Sequence, residues 1–92
     1  MKTYFCDALK QNISVQIVKN QFGINKVNFI VVDTGEIITD ICIDVDTGRK
    51  DTAFMNTFKY SWLYLFLLTN RIARPTYNCC VKDNKVYEEF KL

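Results

Sequence analysis

The chain has 92 residues, a formal charge of +2 and no histidine. This fits one domain, spanning residues 1–92, and gives no bulk electrostatic pull toward nucleic acid or acidic membranes. A hydrophobic share of 49% with one proline and three glycines excludes a disordered chain, because that much apolar surface offsets the entropy of ordering.

Taken in chain order, the first half reads as short strands. Residues 4–6 form a first strand that turns at 7–11. Ile13, Val15 and Ile17 then alternate with Ser14 and Gln16, the period of a half-buried strand. A Gly-containing turn at 20–25 leads to a strand over 27–32. Asp33-Thr34-Gly35-Glu36 sits where a hairpin loop belongs. From 37 to 45, Ile37, Thr39, Ile41, Ile43 and Val45 alternate with Ile38, Asp40, Cys42 and Asp44, which predicts one strand with an apolar and an acidic face.

The segment TFKYSWLYLFLLTNRIARPT has apolar residues at every spacing, and its length and leucines favour a helix over about 58–69. Thr57 is the expected N-cap, Asn70 the expected close, and Pro75 forbids continuation. Apolar on all sides, such a helix is expected to be buried on all sides. Tyr60, Tyr64 and Leu67 would then meet the C-terminal strands, a second copy in a homodimer, or a partner protein. The tail reads as a strand, an Asp83-Asn84 turn and a last strand over 86–92. The expected fold class is α+β: an antiparallel meander of three to five strands packed on one central α-helix.

Asp-Thr-Gly occurs twice, at 33–35 and 46–48, and after an apolar run it is how dimeric aspartic proteases present a catalytic aspartate. Those chains also need a Gly-rich flap and a later apolar pair followed by Gly, and no glycine follows Gly48. Turn chemistry explains both copies, since Asp caps backbone N–H groups and Gly supplies positive φ. As a calcium loop, DVDTG brings its glycine one residue early and places Met55 where a bidentate Glu belongs. As a haloacid-dehalogenase nucleophile it lacks room for a doubly wound sheet. With no histidine base and no phosphate loop, neither nucleophilic catalysis nor nucleotide hydrolysis is expected. Cys6, Cys42, Cys79 and Cys80 have no zinc-ligand spacing. No enzyme activity, metal or cofactor is expected.

Charge is segregated. Asp33, Glu36, Asp40, Asp44 and Asp46 fall in a stretch with no base, while Arg71, Arg74, Lys82 and Lys85 make a later basic group. Glu36, Asp40, Asp44 and Asp46 form a candidate partner-binding face, able to imitate nucleic-acid phosphates toward a basic host protein. The basic group is the alternative, a nucleic-acid or nucleotide site. Residues 1–6 lack the apolar run of a signal peptide and no segment approaches a membrane span, so a cytoplasmic protein with reduced cysteines and no membrane partner is expected.

The order of features resembles a small family of unknown function from phages and mobile elements of Firmicutes and related gut bacteria. Its plan runs through an acidic Gly hairpin between apolar strands, an F-x-D/N-T segment, an amphipathic helix, an N-G-L-A-x-P-T exit and a final Y-x-x-F. VNFIVVDTGEIITDICIDV, AFMNTFKYSWLYLFLLTNRIARPT and VYEEF match it over residues 12–90. Arg71-Ile72 stand where the family has Gly-Leu, and Cys79-Cys80 replace a more Gly-rich stretch. The family has no functional residues to carry over. The resemblance implies a mobile-element accessory protein, an anti-CRISPR-like inhibitor that binds a host protein or sequesters a ligand.

Overall fold

A computed structural model describes residues 2–43 and 45–92. Four strands, β1 (Lys2–Cys6), β2 (Gln11–Lys19), β3 (Asn25–Val31) and β4 (Ile37–Ile38), form one antiparallel sheet in that order. A second antiparallel sheet is ordered β5-β6-β8-β7, from β5 (Cys42–Ile43), β6 (Thr52–Met55), β8 (Lys85–Lys91) and β7 (Arg74–Lys82). One short helix, α1 (Leu63–Thr69), lies between β6 and β7 in the chain.

Alternation sets the first sheet. Along β3 every second residue is buried, and Val27, Phe29 and Val31 face the core opposite Ile17, Val15 and Ile13 of β2. The β2–β3 turn is closed by Asn20, whose Oδ1 accepts from the N–H groups of Phe22 at 2.8 Å and Ile24 at 3.0 Å. Gly23 takes the left-handed conformation there, φ 77, which glycine adopts without Cβ strain.

The predicted strand over 37–45 is not one strand. It is cut into β4 and β5, which belong to different sheets, with Asp40 at φ 67 between them. Left-handed backbone breaks the ladder, and Asp tolerates it better than a β-branched residue. The chain changes sheets at this kink. Asp33-Thr34-Gly35 and Asp46-Thr47-Gly48 are turns as expected: Gly35 N–H donates to Val31 O at 2.8 Å and Gly48 N–H to Asp46 Oδ1 at 2.9 Å.

The helix is shorter than expected and does not dominate the fold, which is largely β. Thr57 does not cap it; its hydroxyl donates to a Glu88 carboxylate oxygen. Asn56 Oδ1 instead accepts from Lys59 N–H at 3.0 Å, holding residues 57–59 in a turn, and Trp62 occupies the N-cap without a side-chain bond. The exit is as expected: Asn70 N–H and Nδ2 both donate to Phe66 O, and Arg71 follows at φ 54.

The core joins both sheets and the helix. Phe29, Ile13, Met55, Phe90, Leu63 and Leu67 are at most 2% exposed. Phe66 stacks edge-on with Trp62 and Tyr4, and Tyr64 with Phe90. The helix is not buried on every side, because Leu65 is 69% and Leu68 37% exposed. Phe90→Ala should therefore cost about 3–5 kcal/mol by urea unfolding, and Leu65→Ala about 0.5 kcal/mol or less. Equal losses would contradict this division of the helix and core.

Candidate functional site

The site is built on the β7–β8 ribbon. Residues directly opposed in an antiparallel pair point to the same face, and alternate residues of one strand share it. Lys85, Tyr87, Glu89 and Lys91 therefore lie on one face of β8. Their partners Lys82 (opposite Lys85), Cys80 (opposite Tyr87) and Arg74 (opposite Lys91) share that face. Two pairs of like cations, Lys82/Lys85 and Arg74/Lys91, thus stand at its ends, six residues or about 20 Å apart along β8. All four are exposed, and among the described residues none has a carboxylate partner within 4.0 Å.

Glu89 stands between the two pairs and organises the strand opposite. Pro75 pairs with Phe90 and Cys79 with Glu88, so three residues of β7 face one of β8. This is a β-bulge with two extra residues. Its side chains wrap the Glu89 carboxylate: Thr76 donates its hydroxyl to Oε1 and Asn78 donates Nδ2 to the same oxygen at 3.1 Å. Arg49 donates Nη1 at 3.3 Å from the loop before β6. The Glu89 side chain is 2% exposed and Arg49 is 56% exposed.

Burial pushes the Glu89 carboxyl up, but hydrogen bonds from Thr76, Asn78 and Thr52 and the Arg49 charge outweigh it. The net result is a pKa below the ordinary 4.5. A hydrogen-bonded, paired carboxylate of this kind stabilises only as an anion. The bulge turns the central residue outward, so Tyr77 sits at φ 68 with 87% of its surface exposed. A large aromatic side chain in left-handed backbone is strained, and it persists here because the residues on either side are held by Glu89.

The described acidic residues fall on separate segments of the chain. Glu36 is exposed before β4 in the first sheet, and Asp46 accepts from Gly48 after β5 in the second. Asp40 lies at the kink with Lys59 Nζ 3.6 Å away, and Asp44 lies outside the described residues. The proposed helix interface is also displaced: Leu67 is fully buried, Tyr60 donates its hydroxyl to Thr39 O at 2.8 Å, and Tyr64 packs on Phe90. The exposed apolar side chains of the helix are Leu65 and Leu68 instead.

Of the predicted basic group, Lys82 and Lys85 form one end of the ribbon face and Arg74 belongs to the other. Arg71 lies just beyond α1. Lys91, Arg49 and Glu89 were not singled out by sequence. Alternation along the last strand already places Lys85, Glu89 and Lys91 together, whereas only the folded loop brings in Arg49. Among the cysteines, Cys6 and Cys42 are buried and Cys79 is exposed. Burial, and then the neighbouring Cys79, push the Cys80 thiol up, which keeps it protonated and weakly nucleophilic. Among the described residues no three His, Cys, Asp or Glu side chains gather as metal ligands. Among the described residues no helix is long and apolar enough to cross a membrane.

Compared with protein-family models, curated proteins and solved structures, the chain matches none.

A depressed carboxylate pKa contributes stability that is present above the unfolded-state value and is lost as pH falls through the folded one. Wild-type stability should fall as pH drops below about 4.5. Glu89→Gln should be less stable at neutral pH and should lack that component of the acid loss. Urea unfolding at stepped pH measures both curves, and parallel curves would rule out the Glu89 anion as a stabilising element.

Proposed function

We propose that the protein is a non-enzymatic binding module whose β7–β8 face engages a nucleic-acid strand. One observation carries this: like cations are paired across the ribbon at both ends of a single face, with the intervening acid already neutralised by Arg49. Directly opposed like charges destabilise a sheet, and a polyanion laid along the face reverses the sign of that interaction. The span of about 20 Å suits a few phosphates of an extended strand. Tyr77, 87% exposed at the bulge of the edge strand β7, adds an aromatic surface beside the face, and stacking of a base there is tolerant of sequence. Of the other acids near the ribbon, Glu88 lies on the opposite face of β8 and accepts from Thr57, Asp83 is in the hairpin turn and Asp51 precedes β6; none belongs to the face set out by the β8 register.

Single-stranded nucleic acid is favoured over duplex because the contact surface pairs a row of charges with an exposed ring. The mobile-element inhibitor implied by the family resemblance would then act by covering nucleic acid rather than by imitating it. Of the acidic residues that imitation requires, Glu36 precedes a strand of the first sheet, Asp40 lies at the kink and Asp46 follows a strand of the second.

Fluorescence anisotropy with a labelled oligothymidylate tests this reading. Affinity should fall with salt, with a log–log slope no steeper than about −3 for four phosphate contacts. Lys85→Glu should weaken binding at least about tenfold while leaving the fold unchanged or stabilising it by about 0.2–1 kcal/mol, since it replaces a repulsive cross-strand pair by an attractive one. Absence of binding at low salt, or binding indifferent to Lys85→Glu, would overturn it.

A further inference from the structure

At the Arg74/Lys91 end of the face the surface is not flat. A concavity of about 370 Å³ opens between the end of α1, the residues that follow it and the end of β8. Arg71, Arg74 and Lys91 line it, with Leu68, Ile72 and Leu92 as apolar wall, and no acidic side chain contributes to the lining. We propose that this concavity is a binding site for a terminal phosphomonoester of a nucleotide, with the attached base against the apolar wall. It rests on the nucleic-acid reading of the ribbon face and gives that face a defined end.

Three features support it. The three cations reach the same concavity from two elements and a loop, so their mutual repulsion is relieved by an anion placed among them. A phosphomonoester carries up to two charges and three acceptor oxygens, matching two guanidinium groups and an ammonium better than the single charge of an internal phosphodiester does. Three carbonyls at the end of α1 each have a backbone donor. Phe66 O, Leu67 O and Leu68 O already accept from the N–H groups of Asn70, Ile72 and Arg71 at 3.2, 2.9 and 3.1 Å. The apolar wall is accessible, with Leu68 37% exposed, and the size is that of a site for one small ligand. The Lys82/Lys85 end lies about 20 Å away along β8 and takes no part.

A terminal phosphomonoester is found both on free nucleotides and at the end of a strand, and the two sources are separable. Anisotropy is measured for three oligothymidylates of one length, carrying a 5′-phosphate, a 3′-phosphate or hydroxyls at both ends; thymidine monophosphate is titrated separately and followed by NMR shifts. One phosphorylated strand should bind at least about tenfold more tightly than the hydroxyl strand. Arg71→Asn, which removes the charge while suiting the left-handed backbone of position 71, should abolish that gain and change hydroxyl-strand binding by less than about twofold. Equal affinity of all three strands would overturn the terminal-phosphate site while leaving the ribbon face intact. Binding of thymidine monophosphate at Arg71 and Ile72, with no strand bound, would support the pocket and remove the ribbon reading. Absence of binding by every probe would overturn both.

Discussion

The second sheet depends on one buried anion. Glu89 ties together three parts of the chain distant in sequence: its own strand, the β7 bulge through Thr76 and Asn78, and the loop before β6 through Arg49. Removing that carboxylate takes the common acceptor from half-buried Thr76 and from Asn78 and Arg49, which reach solvent, and leaves a buried position without its charge. The bulge matters because β7 carries two residues more than the ladder can pair. With Glu89 at their centre, these extra residues become a fixed outward loop with Tyr77 at its apex. Without it the extra residues lose their anchor, while the Asp83-Asn84 turn still sets the register of the hairpin beyond the bulge.

That same carboxylate settles the electrostatics of the face. It lies between the two cation pairs, nearer Lys91, and would attract them, but its charge is matched by Arg49 and its Oε1 is occupied by three donors. The pairs at the ends are therefore left facing solvent with their own repulsion. A fold selected only for stability would place an acid opposite Lys85 or Lys91; this one does not, and cost in stability without structural return is a common mark of a binding surface.

Much of the first sheet is legible in the sequence because its physics is local. Ile13, Val15 and Ile17 against Ser14 and Gln16, and the Gly-containing turn at 20–25, are signals carried by neighbouring residues. Asp83-Asn84 likewise form the predicted hairpin turn, at φ 53 and 63. Failures occur where a long-range contact decides. Residues 37–45 alternate as well as any strand, yet the kink at Asp40 sends the two halves to different sheets, where Ile38 and Cys42 each find a pairing partner. Thr57 resembles an N-cap, but Glu88 captures its hydroxyl and Asn56 takes over the turn. β6 has no periodic signal in the sequence: its residues Thr52, Ala53, Phe54 and Met55 are buried on both faces and show no alternation. The site follows the same rule. Lys82 and Lys85 are visible from a two-residue turn, and Lys91 follows from strand parity. Arg49 requires the tertiary fold, and the acidic group loses the single strand expected to carry it.

The central claim is that the cationic face of the β7–β8 ribbon, ordered by Glu89, is the binding surface. The most direct measurement is an NMR titration of isotope-labelled protein with a short oligothymidylate at low salt. Amide shifts should concentrate at Arg74, Tyr77, Lys82, Lys85 and Lys91, and at Arg49 across the face. They should be absent from Glu36, Asp40 and Asp46. Shifts confined to those acidic turns, or to the exposed helix residues Leu65 and Leu68, would contradict it.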